Sequence, residues 1–140
     1  MTAALAVAVW LTALTVCDLR RRRLPNVLTV PGAVVILIAA AVAGHGVPAL
    51  LGALALAGSY AVVHLVSPAA LGAGDVKLAL GVGALTGSFG PQAWALCAIG
   101  ASLLTGLWGV ARLVRGAGSA VPHGPSMCLA TVAAVGLALA

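Results

Sequence analysis

Long apolar runs, broken only by short turns bearing glycine and proline, constrain this chain more than any other feature. They occupy residues 3–17, 27–43, 49–66, 76–86, 92–114 and 126 to the end. Hydrophobic residues make up 63% of the chain and charged residues 6%, where a soluble domain carries about 25% charged residues. So few charges cannot clothe a water-facing surface, and a bilayer is the natural solvent. Backbone polar groups in hydrocarbon must pair within their own segment, and barrel strands alternate where these runs do not, so helix is the assignment. A crossing takes roughly 20 apolar residues, and six crossings would use about 120, leaving short loops. The expectation is an all-α integral membrane protein: one domain over residues 1–140, folded as a bundle of six transmembrane helices.

Charge then sets the orientation. Four of the seven basic residues, Arg20, Arg21, Arg22 and Arg23, are consecutive and follow the first run directly. That is the form of a cytoplasmic anchor facing anionic lipid. Alternating the spans from there brings Lys77, Arg112 and Arg115 to the same side, with both termini outside and no Lys or Arg in the outer turns. A nucleic-acid partner does not fit, because the net charge of +5 lies in one juxtamembrane cluster and aromatic residues are 4% of the chain. No basic residue precedes the apolar start at Met1, so the first run reads as an uncleaved span and not a secretion signal. Cys17, Cys97 and Cys128 form no CxxC pair, and His45, His64 and His123 fall in separate segments; neither set suggests a metal site, and no cofactor is expected. Gly81, Gly83 and Gly87 lie along one short run, which favours close helix approach over a role in admitting substrate. Trp94 and Trp108, towards opposite ends of the fifth run, suit the membrane interfaces.

Against this background stand two acidic side chains, Asp18 and Asp75, with no Glu at all. Asp18 closes the first run and Asp75 precedes the fourth, which places both at the cytoplasmic edge. An ionisable group beside hydrocarbon is costly and marks a functional candidate. Two neighbouring carboxyls share a proton, and such a pair can activate a water and protonate a leaving group. Each acid also has a plainer reading: Asp75 as a helix cap, Asp18 as a partner for one of the arginines.

The neighbouring residues add a resemblance. Gly72-Ala73-Gly74-Asp75-Val76-Lys77 looks like the GxGDxK motif of the prepilin peptidase family, GxGD-type intramembrane aspartyl proteases. Asp18 through Arg23 and Leu24-Pro25-Asn26 resembles its first-aspartate motif, an Asp followed by basic residues and then Ile/Leu-Pro-Asn. Pro122-His123-Gly124-Pro125 resembles a Pro-Phe-Gly-Pro element before the last span, with His123 in place of the aromatic. The resemblance implies an aspartyl endopeptidase of the bacterial cytoplasmic (inner) membrane, its active site at the cytoplasmic face. Asp18 and Asp75 would be its catalytic residues, and a prepilin-like precursor with a short basic leader its substrate. It also implies the short, peptidase-only form, since the cysteine-rich insert of methylating members has no counterpart here.

Around the acids, several residues keep two readings. Gly72 and Gly74 either permit unusual backbone angles and leave room for an extended substrate, or form a plain turn. Lys77 either snorkels to headgroups or tunes an aspartate. Pro25 and Asn26 set the turn into the second span or touch substrate. A proton-coupled transporter relaying protons through Asp18 and Asp75 is the alternative function. Relay groups ordinarily lie near the midplane, however, and these two lie at one edge.

Overall fold

A computed structural model describes residues 2–118 and 120–140. Met1, at the head of the first apolar run, and Ser119, at the end of the polar stretch before Pro122, lie outside the described residues. The described chain forms six α-helices and no strand: α1 (Thr2–Arg21), α2 (Asn26–Val42), α3 (Gly46–Val66), α4 (Ala73–Ser88), α5 (Pro91–Val114) and α6 (Gly124–Leu139). Each apolar run gives one helix, but several helices start earlier than the apolar pattern implies. Gly46-Val47-Pro48, expected as turn, is the first turn of α3, and Ala73-Gly74-Asp75 is the first turn of α4. First-turn amides lack intrahelical partners, so proline and small polar residues are tolerated there. At the other end of its run, α1 continues past Cys17 through Asp18 to Arg21, which puts the first acid on helix and not in a loop.

The helices α1, α3 and α5 are long and apolar enough to cross a membrane, while α2 and α6 are shorter apolar helices. At 16 residues, α4 spans about 24 Å, less than the roughly 30 Å of a bilayer core. Its surroundings account for this. It packs against α2, α3, α5 and α6, with Leu78, Ala79, Val82 and Ala84 completely buried. A helix enclosed by protein has little lipid to match.

The closest approach is between α3 and α4. A Cβ on Gly83 would run into the carbonyl of Gly52, and one on Gly87 would meet the carbonyl of Pro48 at 2.6 Å. The glycine pattern read from the sequence therefore serves helix packing. Trp94 locks the same contact, its indole N–H donating to the Gly52 carbonyl at 3.0 Å, a partner that interface anchoring does not foresee. The buried hydroxyls of Thr86 and Thr131 donate to carbonyls one turn back, at 2.8 and 2.7 Å, so no polar atom there is stranded. Outside this core, large apolar side chains remain exposed on every helix except α4, among them Val9, Val35, Leu54, Leu103 and Leu137. Such an exterior suits lipid.

Candidate active site

The end of α1 and the starts of α2, α4 and α6 come together at one end of the bundle, and the acids meet there. Asp18, in the last turn of α1, is 7% exposed. Its Oδ2 accepts the backbone N–H of Gly124, at the start of α6, at 3.1 Å across 106 residues of sequence. A Cβ on Gly124 would stand 2.5 Å from that oxygen, so any larger residue there would push the carboxyl aside. Asp75 sits three residues after Gly72, the residue that caps α4, and its Oδ2 accepts the Gly72 N–H at 3.3 Å. It thus makes the N3 half of a capping box, whose other half is missing because Gly72 has no side chain, and is not the cap itself. That bond employs one oxygen and leaves the other for further chemistry.

Two cavities meet at the acids, one of about 460 Å³ and one of about 270 Å³, and both are lined by Asp18, Arg22, Gly72 and Asp75. Both acids face the same two cavities, and two neighbouring carboxyls hold one proton between them. The larger cavity opens towards Thr105 and Gly109 of α5 and His123; the smaller is bounded by Arg23, Leu24, Gly74 and Lys77.

Gly72 and Gly74 do not use left-handed angles. Gly72 is ordinary extended backbone, at φ −73° and ψ 153°, and neither glycine is among the positive-φ residues. Their missing side chains matter through space alone. A Cβ on Gly74 would press on Leu24 at 3.1 Å, so this glycine seats the first-aspartate segment against α4. Lys77 reinforces that junction by donating to Asn26 Oδ1 at 2.8 Å, a partner neither reading of Lys77 named. Pro25 caps α2 and its carbonyl accepts the N–H groups of Leu28 and Thr29 at 3.0 and 3.1 Å, so it does set the turn into that helix.

Sequence reasoning missed a polar cluster in the wall of the larger cavity. His123, in the link before α6, holds Tyr60 Oη at 2.8 Å through Nε2 and Thr105 Oγ1 at 2.6 Å through Nδ1. It therefore ties α3 and α5 to the start of α6. Burial takes its imidazole down to about 4, so the ring is neutral near neutral pH, one nitrogen donating and the other accepting. The available clue was Tyr60, the chain's single tyrosine, whose hydroxyl needs a partner inside an apolar run. His64, in the last turn of α3, turns to the Leu71 carbonyl at 2.7 Å, in the link that follows the helix. Among the described residues, no three His, Cys, Asp or Glu side chains converge as metal ligands.

Compared with known protein families, the chain matches the model of the type IV leader peptidase family over residues 5–110. No curated protein and no solved structure matches the chain.

Proposed function

The chain belongs to the type IV leader peptidase family, and on that footing we propose that it is a membrane-embedded aspartyl endopeptidase whose catalytic residues are Asp18 and Asp75. It is a membrane protein and a prepilin-type peptidase. The finer reading rests above all on one observation: the chain's two acidic side chains, 57 positions apart by their numbers, line the same pair of cavities.

In this mechanism the ionised carboxyl takes a proton from a water lying between the acids, and the resulting hydroxide attacks the scissile carbonyl. The protonated carboxyl donates a hydrogen bond to the oxyanion that forms. As the C–N bond breaks, a proton passes to the leaving nitrogen, and the pair again holds one proton. Small residues in the wall of the larger cavity, Ala69, Ala70 and Gly109, leave space for an extended backbone, and Gly72 contributes to the same gap. The substrate is a prepilin-like precursor, cut where its short basic leader meets its hydrophobic segment.

We place all six helices across the bacterial inner membrane, as one peptidase domain over residues 1–140, with both termini outside and the acids at the cytoplasmic face. Arg20 to Arg23 then meet anionic headgroups, and methyl transfer is not part of its chemistry. The transporter alternative gains no support from the family match.

The test is co-expression with a candidate prepilin, read as a mobility shift. Asp18→Asn and Asp75→Asn are each expected to insert normally and to leave the precursor uncut. Processing at wild-type rate by either variant removes that aspartate from the mechanism.

A further inference from the structure

Arg22 is the one described non-glycine residue with a left-handed backbone, at φ 48°. It directly follows α1, and its N–H donates to the Asp18 carbonyl at 2.8 Å, the single hydrogen bond of a left-handed helix cap. Glycine is the residue that ordinarily takes this position, because a Cβ there crowds the backbone. An arginine held in that conformation is a strained choice, and strain of this kind concentrates at functional sites. The reversal brings Arg22 back to the acids, four residues after Asp18, and it lines both cavities with them. Its neighbours Arg20 and Arg21 line neither of these cavities.

The two carboxyls are therefore not equivalent. Asp18 has the Gly124 amide of another helix at 3.1 Å, and Arg22 is tied to it through the backbone at 2.8 Å in the same cavities. Asp75 has a longer bond, 3.3 Å, to the amide of its own helix cap. Lys77, the cation nearest to it in sequence, is engaged by Asn26. The other titratable groups around the acids do not reverse this bias. His123 is neutral, and Tyr60 of α3, Cys97 of α5 and Cys128 of α6 are uncharged in their ordinary forms. Arg23 borders only the smaller cavity.

We propose that Arg22 is a positioning residue that divides the labour of the pair, holding Asp18 in the ionised form that activates water and leaving the shared proton on Asp75. This rests on the peptidase reading for its consequence, but the asymmetry can be measured without substrate.

The chain has two acidic side chains, so full-length protein labelled with ¹³C at the aspartate carboxyl gives two side-chain resonances. Asp18→Asn and Asp75→Asn assign them. In detergent micelles Asp18 is expected to lose its proton at lower pH than Asp75. In Arg22→Gly its midpoint rises by about one pH unit, as loss of a nearby cation predicts, while the thermal midpoint stays at or above wild type because the backbone strain is relieved. Arg22→Lys returns the titration towards wild type, and Arg21→Gln leaves it in place. The acid limb of the pH–rate profile for precursor cleavage moves with the Asp18 midpoint. An Asp18 titration unchanged in Arg22→Gly, or a shift confined to Asp75, overturns the proposal whatever the cleavage assay reads. Conversely, normal cleavage by Asp18→Asn would remove Asp18 from the proposed mechanism and leave the titration result standing.

Discussion

Gly124 fixes the position of Asp18. Its amide holds the carboxylate, and a methyl group on its Cα would stand 3.1 Å from Asp18 Cγ as well as colliding with Oδ2. Gly124→Ala is therefore expected to push the carboxyl aside, and a displacement of about 1 Å at a reacting group costs roughly 10²-fold in rate. Cleavage of a purified precursor by this variant checks it; an unchanged rate would mean that the contact is dispensable. His123 makes a second prediction at this scale. Its pKa is about 4 when folded and about 6.5 when unfolded. The unfolded chain thus binds the extra proton between those values, and stability falls as pH drops from 6.5 towards 4. The full loss is on the order of 3 kcal/mol. Thermal unfolding in detergent should show this slope in wild type and a shallower one in His123→Phe. Neither contact was legible in the sequence. The Pro-His-Gly-Pro element marks its residues as special, yet nothing in it says that the glycine meets an acid 106 positions away.

Among the elements, α4 carries the tightest packing. Gly83→Ala would drive a Cβ into the Gly52 carbonyl and to 3.0 Å from the Ala53 Cα. Both are backbone atoms and cannot step aside. Overpacking of this kind costs about 1–3 kcal/mol. Gly58→Ala on the far face of α3, with nothing within 4 Å, should instead be neutral or stabilising by up to about 1 kcal/mol. Thermal midpoints of the two variants provide the comparison, and equal effects would contradict the packing described. The number and order of the helices could be read from the apolar runs because each run is flanked by residues that end helices. Their starts could not, because Gly46, Pro48 and Gly74 are acceptable in a first turn and look the same there as in a loop. A close helix contact on α4 was foreshadowed by Gly81, Gly83 and Gly87, whereas α3 as the partner and Gly52 as the counterpart were not.

At the scale of the whole molecule, the bundle alternates direction, so every second helix end lies beside the acids. The ends of α1, α3 and α5 and the starts of α2, α4 and α6 carry all seven basic residues and both carboxyls. The opposite end is built from Gly44, Pro48, Phe89 and Pro91, without Lys or Arg. One polar end on an otherwise apolar body is what a peptidase needs if it is to let water reach a bond at the membrane surface. On the proposed mechanism it also concentrates the catalytic demand on two residues, since the chain has no other acidic side chain to replace either of them. If Asp18 and Asp75 act on a single water, they act as one unit, and their losses do not multiply. The decisive measurement is the cleavage rate of one purified precursor by wild type, Asp18→Asn, Asp75→Asn and the double variant. Each single change is expected to lower the rate by roughly 10²–10⁴-fold, with the double variant no slower than the worse single. A single variant at wild-type rate, or a double variant slowed by the product of the two single losses, would contradict a shared site.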